Sequence, residues 1–251
     1  MKKLCYLFTV LLAVTFAACD NGGPEGPANP NQPFNPSKPE KTANGHGYVD
    51  LGLSVKWATC NVGANTPEEF GDYFACGETQ PKEVYNDSTY KYYKHNGYNS
   101  VGDAKYKVTK YCTDSDYGTV DNKTVLDLED DAAHVNWGGA WRMPTMEEQQ
   151  ELRDNCTWIC TVHNGIIGYI AKSEINGNSI FLPLTGIARE ETGALKEMNI
   201  HNAGTWGMYW GSSLDEWGGS VIDLHSDNLS WYNGSFYREV GLPIRPVLPY
   251  N

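Results

Sequence analysis

The residues best suited to chemistry lie near the end of this chain, where aromatic side chains alternate with small polar ones. Aromatic rings stack on the apolar faces of sugars, while Asp, Asn, Ser and His side chains hydrogen-bond to hydroxyl groups. Eight residues combine these properties: Trp217, Asp223, His225, Asn228, Trp231, Tyr232, Asn233 and Tyr237. We predict that they form a binding face for an extracellular glycan or protein ligand.

Catalytic and metal-binding motifs are missing from the sequence. The six histidines are scattered singly, and neither His-Glu-x-x-His nor Gly-x-Ser-x-Gly occurs. Five cysteines follow residue 19 without zinc-ribbon spacing, and their odd number leaves one thiol unpaired or intermolecular. We therefore predict a protein that is not an enzyme and that has no cofactor.

An acidic segment at residues 114–131 carries seven acids against one lysine. Its spacing does not match the alternating acids, glycine and terminal glutamate of an EF-hand loop. We interpret it as a solvated acidic loop that runs into a short helix at about residues 127–135, with no bound metal. Calcium binding is the alternative.

The binding face needs a strand to present it. In residues 221–225, Ile222 and Leu224 alternate with Asp223 and His225, which predicts a strand with the polar pair facing outward. We expect Trp210, and to a lesser degree Trp206, to belong to the core. Residues 241–248 read as the closing strand, and its two prolines require an edge position or interrupted pairing.

The stretch at residues 137–152 predicts a tryptophan-rich turn followed by a helix, whose narrow apolar stripe consists of Met146, Leu152 and Cys156. Trp137 and Trp141 are expected against the core. Arg142 is expected to hold a loop carboxylate or carbonyl group, and Thr145 and Glu148 stand at capping-box spacing.

Turn signals divide the remainder of the chain into short strands and loops. Asn176-Gly177 joins two β-rich runs, which is a strong hairpin signal. The other expectations are a hairpin at 48–59 around Gly52, a short strand at 71–75, strands at 165–171 and 179–182, and loops at 81–100 and 186–205.

The N-terminus resembles that of an exported bacterial lipoprotein. Two lysines and an apolar run precede Phe16-Ala17-Ala18-Cys19, which predicts a signal peptide at residues 1–18 and a lipidated Cys19. An ordinary signal peptide is the alternative. Within residues 19–47, proline recurs at every third position from Pro24 to Pro39, which is typical of a polyproline II stalk. Residues 48–251 are predicted to form the folded domain. We expect lipid anchoring to the outer membrane at the cell surface.

The net charge limits the choice of partners. The chain carries a formal charge of −12, and loss of residues 1–18 with their two lysines leaves 31 acids and 17 bases, or −14. An acidic surface argues against nucleic acid and against an anionic membrane surface. We therefore expect membrane contact through the lipid anchor only.

Together these pieces resemble the Fibrobacter-type major paralogous domain. The matching segments run in order from residue 49 to residue 247: 49–64, 71–75, 138–145, 178–183, 209–213 and 244–247. The resemblance implies a C-type-lectin-like fold related to formylglycine-generating enzymes. Such a fold is α+β, with short antiparallel sheets, one or two helices, long loops, and pairing of the first and last strands.

Two departures from the family concern cysteines. Relatives tend to carry tryptophan where this chain has Cys76 and Cys160, which suggests that the two positions are neighbours. The resemblance thus implies a Cys76–Cys160 disulfide, with Cys60–Cys156 as the second bridge and Cys112 free. Five reduced, buried cysteines are the alternative.

The family leaves three functions to weigh. The leading one is a non-catalytic binding module, although the Glu-Pro-Asn and Trp-Asn-Asp signatures of calcium-dependent lectins are absent. An oxidase of the formylglycine-generating type uses paired cysteines late in the chain, and no cysteine follows Cys160. A fimbria-associated structural adhesin subunit requires an exposed strand edge that accepts or donates a strand.

Overall fold

Short antiparallel strands make up most of the secondary structure. The computed structural model describes residues 36–38, 41–101, 104–190, 199–215, 218–226 and 235–250. Its strands are β1 (Lys41–Ala43), β2 (His46–Val49), β3 (Val55–Ala58), β4 (Tyr93–Tyr98), β5 (Ala104–Val108), β6 (Cys156–His163), β7 (Ile166–Ser173), β8 (Ser179–Pro183), β9 (Ile187–Arg189), β10 (Asn199–His201), β11 (Trp206–Leu214), β12 (Gly219–His225), β13 (Ser235–Phe236) and β14 (Val247–Pro249).

Helices are few and short. The described residues hold a 3₁₀ turn at Leu128–Asp130 and two α-helices, α1 (Ala132–Trp137) and α2 (Met146–Asp154). The predicted helix at 127–135 is thus confirmed as a 3₁₀ turn followed by α1. A bilayer span needs about 20 apolar residues, and none of the helices described is long and apolar enough to provide one.

One sheet joins the two ends of the domain in the order β1-β2-β3-β14. The predicted hairpin is confirmed: Tyr48 pairs with Ala58, and Gly52 in the connection has a φ of 73°, which favours glycine. Val247 of β14 pairs with Trp57 of β3. The early and late strands therefore share one sheet, with β14 beside β3.

The folded unit reaches further toward the N-terminus than residue 48. Chain contacts group Asn35–Asn251 as one compact unit. The β1 strand pairs with β2, and the Ala43 carbonyl accepts a hydrogen bond from Trp141 Nε1 at 2.9 Å. The Ser37 amide donates to the Ser179 carbonyl at 3.1 Å. Part of the predicted stalk is therefore a structural part of the domain.

A second sheet has the order β6-β7-β8. The predicted strands around Asn176-Gly177 are confirmed as β7 and β8. The sequence reading missed β6, an eight-residue strand that pairs with β7 along its whole length. Asn164 and Gly165 form the connecting turn with φ angles of 48° and 85°, which short polar residues and glycine tolerate.

A third sheet, β11-β12-β13, separates two hydrophobic cores. Ile222 and Leu224 pack in one core with residues of β3, β7 and β8, whereas Val221 packs in the other with Trp210 and Trp141. The predicted alternation of β12 is thus confirmed, but its second face is covered. Trp210, Trp137 and Trp141 are buried as predicted.

Three stretches of the chain differ from their sequence-based predictions. The loop predicted at 81–100 ends in β4, which pairs with β5, and three of its tyrosines are buried. The loop at 186–205 contains the β9–β10 pair. The strand at 71–75 is reduced to a single bridge between Phe74 and Leu242. These differences arise from the burial of tyrosines and from pairing between separate segments. Neither feature produces a local pattern in the sequence, so neither was predicted.

The start of α2 and the closing strand match their predictions, but α2 ends at Asp154, and Cys156, which was predicted to lie on that helix, begins β6. The Thr145 side chain accepts from the Glu148 amide, and the Glu148 carboxylate accepts from the Thr145 amide. Arg142 holds both oxygens of that carboxylate at 2.5 and 2.7 Å. The closing segment pairs only at separate positions on either side of its two prolines. Leu242 forms an isolated bridge with Phe74, and Val247 pairs with Arg142 and with β3.

The predicted disulfides are wrong, because all five described cysteines are free. Cys76 is buried in the core that contains Trp210, where a Cβ atom on Gly219 would lie 2.7 Å from its sulfur. Cys160 lies on β6 with its side chain exposed, and Cys156 belongs to the other core. Cys76 and Cys160 are therefore not partners, and neither are Cys60 and Cys156.

Candidate ligand-binding site

Four aromatic rings form a continuous row across β11, β12 and β13. His225 stacks on Trp206 at 5.4 Å between ring centroids, Trp206 meets Phe236 edge-on at 6.0 Å, and Phe236 meets Tyr237 at 5.5 Å. The first three rings are half-buried and Tyr237 is 63% exposed. We refer to these four residues as the aromatic row.

Strand pairing explains how the row is assembled. Trp206 of β11 and His225 of β12 are cross-strand partners, so both side chains leave the same face of the sheet. Phe236 comes from β13, opposite Gly219 at the other end of β12. Three strands therefore bring together residues that lie as much as 31 positions apart (237 − 206).

Asp223 fixes the Trp206 end of the row. Its Oδ1 atom accepts a hydrogen bond from Trp206 Nε1 at 2.5 Å and lies 3.1 Å from His225 Nε2. Asp223 is only 9% exposed, so the prediction that it faces outward is wrong. It is covered by the Trp206 ring, and its carboxylate sets the orientation of the two rings.

An Asp–His pair is also found in nucleophilic catalytic sites, where the histidine contacts a Ser, Cys or Thr side chain. Within the described parts of the chain, no side chain of these types hydrogen-bonds to the His225 ring. A shallow cleft of about 290 Å³ opens beside the pair, lined by Asn202, Thr205, Trp206, His225 and Ser226. Its polar groups suit hydroxyl groups of a ligand.

A larger cleft of about 470 Å³ opens at the Tyr237 end of the row. This volume lies within the range typical of small-molecule sites. We call it the Tyr237 cleft, and its principal lining residues are Tyr85, Asp87, Arg189, Glu190, Tyr237 and Glu239. The Tyr85 ring is buried and anchored, since its hydroxyl donates to the Tyr73 carbonyl at 2.5 Å.

Two carboxylates of the Tyr237 cleft, those of Asp87 and Glu239, are destabilised in their charged form. Partial desolvation raises the pKa of Asp87, although the residue itself is exposed to solvent. Burial also raises the pKa of Glu239, and the nearby charge of Asp87 raises it further, while Arg189 opposes the shift without reversing it. Perturbed carboxyl groups in a cleft are a common property of functional sites.

The acidic segment contains a tight group of three carboxylates, Asp127, Glu129 and Asp130, whose oxygens lie within 4.8 Å of one another. Lys110 Nζ lies 2.8, 3.4 and 2.5 Å from them. The ammonium group of Lys110 thus occupies the position that a metal ion would need. The interpretation of a solvated loop is wrong for Asp130 and Asp131, which are both buried.

The structure brings three of the eight predicted ligand-binding residues into this region, namely Asp223, His225 and Tyr237. Trp217, Asn228, Trp231, Tyr232 and Asn233 lie outside the described residues, as do Cys19 and the signal peptide. Sequence reasoning missed Phe236 and the cleft residues Asp87, Arg189 and Glu239. Of these, only Phe236 could have been predicted, because it is an aromatic residue next to Tyr237 in the sequence. The other three come from separate segments of the chain.

Neither the known protein families, nor characterised proteins, nor solved structures match this chain. The fold is therefore described by its own geometry, as a mostly-sheet α+β domain with short helices and several short antiparallel sheets.

Proposed function

We propose that this protein is a non-catalytic glycan-binding module of the C-type-lectin-like, major-paralogous-domain type, held at the bacterial cell surface by a lipid on Cys19. The observation that carries the proposal is the aromatic row, which ends in an exposed ring at the mouth of a polar cleft. A tyrosine that is 63% exposed at the mouth of such a cleft offers a face for a sugar ring.

The two ends of the aromatic row differ in their chemistry, which suits an extended ligand. Near His225 the neighbours are the neutral polar groups of Asn202, Thr205 and Ser226. Near Tyr237 they are charged. A glycan chain offers an apolar ring face and several hydroxyl groups in each unit, so it can use both ends at once.

A glycan array probed with the fragment 36–251 tests the proposal. We expect Tyr237→Ala to weaken binding roughly tenfold, which corresponds to about 1.4 kcal/mol of stacking and burial. Tyr98→Ala is the matched control, because Tyr98 is equally exposed, on the β4–β5 hairpin. The proposal would be contradicted if no glycan on the array binds, or if Tyr237→Ala binds as tightly as the unaltered protein.

The lipid anchor has a separate test. In the bacterial host, Cys19→Ala should move the protein from the membrane fraction to the soluble exported fraction, because a lipidated cysteine supplies the membrane attachment. Mass spectrometry of the N-terminal peptide should show diacylglyceryl modification only in the unaltered protein. An unmodified Cys19 within a retained signal sequence is inconsistent with anchoring.

A structural adhesin subunit is a second candidate function, and the free edge of β6 favours it. Among the described strands β6 pairs with β7 alone, and it contains no Asp, Glu, Lys, Arg or Pro. Cys160 is exposed and Val162 is 62% exposed on the same strand. Natural edge strands usually carry charges or prolines that prevent pairing with another chain.

Sedimentation over a range of protein concentrations tests this second candidate. If β6 joins copies of the protein, Val162→Lys should abolish an association that is seen in the unaltered protein. Val135→Lys is the control, since Val135 is exposed on α1 away from any strand edge. A protein that stays monomeric at every concentration argues against assembly through β6.

A further inference from the structure

We infer that the Tyr237 cleft recognises an ammonium group, so that the ligand of this module is an amine-bearing sugar chain. The inference rests on the proposed function and names the class of glycan. It is carried by the unbalanced charge of the cleft and by the exposed ring of Tyr237.

The charges that line the cleft do not cancel. Three acids, Asp87, Glu190 and Glu239, face one base, Arg189, which leaves a net charge of −2 when all are ionised (1 − 3). In the structure as described, none of the four forms an ion pair within 4.0 Å. A charge without a partner in a partly dehydrated cleft is costly, and a ligand of opposite charge removes that cost.

Two of the carboxylates already interact unfavourably with each other. Glu239 and Asp87 repel, and the Tyr93 hydroxyl lies 3.5 Å from Glu239 Oε2. That is a weak hydrogen bond at best. Glu190 differs, because the Asn86 side-chain amide donates to it and holds it in position. A cation placed between Asp87 and Glu239 would be attracted by both.

The cleft wall also suits a cation. A protonated amine within about 6 Å of a tyrosine ring gains a favourable cation–π interaction. Tyr237 offers such a ring, and Tyr85 forms the floor. A neutral sugar would leave the acids unbalanced, and a sulfated or uronic-acid chain would be repelled. An amino sugar fits because it combines an ammonium group with a stacking ring.

A matched pair of probes tests the inference. The two are a β-1,4-linked glucosamine oligomer and the N-acetylated oligomer of the same length, which differ only in ammonium against acetamide. At about pH 6, where the amine is protonated and an ordinary carboxyl group is ionised, we expect the amine form to bind at least tenfold more tightly. This preference should decrease as the salt concentration rises, because charges in an open cleft are screened.

Variants of the cleft then assign the preference to these residues. We expect Glu239→Gln and Asp87→Asn each to reduce it several-fold, and the double variant to abolish it. Glu174→Gln is the matched control, since Glu174 is exposed in the β7–β8 turn and contacts Thr157. Removing a carboxylate that is repelled by its neighbour should leave the thermal unfolding midpoint unchanged or raise it. A loss of ligand preference can then be distinguished from a loss of folded protein.

The outcomes separate the two proposals. Equal or tighter binding of the N-acetylated oligomer, or a preference that survives in the double variant, overturns the ammonium site while glycan binding through Tyr237 stands. If an oligolysine peptide binds with the same variant sensitivity and the amine oligomer does not bind, the natural ligand is a basic protein and the amino-sugar inference fails. If no glycan binds on the array or in solution, both proposals fail together.

Discussion

Asp130 shows how a buried charge is stabilised in this acidic protein. It is 3% exposed, and its carboxylate contacts Lys110 at 2.5 Å, Lys91 at 2.9 Å and the Tyr111 hydroxyl at 2.6 Å. Burial alone would raise the pKa of Asp130, but hydrogen bonds from Lys110 and Tyr111 outweigh that effect and hold the pKa well below its usual range.

Asp130→Asn should therefore lower the free energy of unfolding by about 2–3 kcal/mol at neutral pH. This is less than the 3–5 kcal/mol typical of a broken buried pair, because the lysines can turn toward water. A depressed carboxyl pKa stabilises the fold above the unfolded-state pKa near 4, and this stabilisation is lost as the pH falls further. In denaturant titrations, the difference between the two proteins should shrink below about pH 4. A difference that stays constant with pH would mean that the charge of Asp130 is not responsible.

The thiols should differ sharply in their reactivity. Burial raises the pKa of Cys76 and of Cys156 to about 12, so neither forms the reactive thiolate at neutral pH. Cys160 is exposed. In the native protein we expect iodoacetamide to label Cys160 first and to spare Cys76 and Cys156 until denaturant is added. Mass spectrometry of peptides without reduction reads the result, and a disulfide-linked peptide containing Cys76 would contradict the free-thiol structure.

At the scale of single elements, α2 depends on its first turn. The capping box satisfies two backbone amides that have no partner inside the helix, and Arg142 holds the capping glutamate in place. The helix buries only Gln149 and Leu152, so its packing is limited and its cap matters more.

Thr145→Ala should lower the free energy of unfolding by about 1 kcal/mol, which is the typical value for loss of an N-cap side chain. Thr145→Ser keeps the hydroxyl group and should retain most of that stability. Thermal unfolding of the two variants beside the unaltered protein measures both. Equal losses for alanine and serine would indicate that the threonine methyl group, rather than the cap, supports α2.

At the scale of the whole molecule, β1 ties the start of the folded unit to its interior. Ala43 accepts the Trp141 indole hydrogen bond, and the Asn44 side chain donates to the Trp137 carbonyl. Three residue pairs join β1 to β2. Loss of this segment would leave the fully buried Trp141 without its acceptor.

We therefore expect the fragment 36–251 to keep the stability of the full chain. The fragment 45–251 should be less stable by about 2–4 kcal/mol, the cost of an orphaned buried donor and several lost ladder bonds. Chemical denaturation of both fragments measures this. Limited proteolysis of a chain that retains residues 19–35 should cut before residue 36 and then slow. Equal stability of the two fragments would show that β1 is dispensable.

Local patterns predicted the features that depend on neighbouring residues. The capping box at Thr145, the hairpin turns at Gly52 and Asn176-Gly177, the role of Arg142 and the alternation of β12 all follow from spacings of a few positions. Their physics is also local, since a cap, a turn or a strand face is decided within one element.

Only the tertiary structure decided what each strand face meets. The alternation of β12 places Asp223 on the face opposite Ile222 and Leu224, as predicted. Asp223 is nevertheless buried, because Trp206 of the neighbouring strand β11 packs beside it and donates a hydrogen bond to its carboxylate. The Tyr237 cleft joins Asp87, Arg189 and Glu239 from three separate segments. Cys76 and Cys156 are buried in two different cores, whereas Cys160 is exposed. Such contacts depend on long-range packing, and a single sequence shows no periodicity that encodes them.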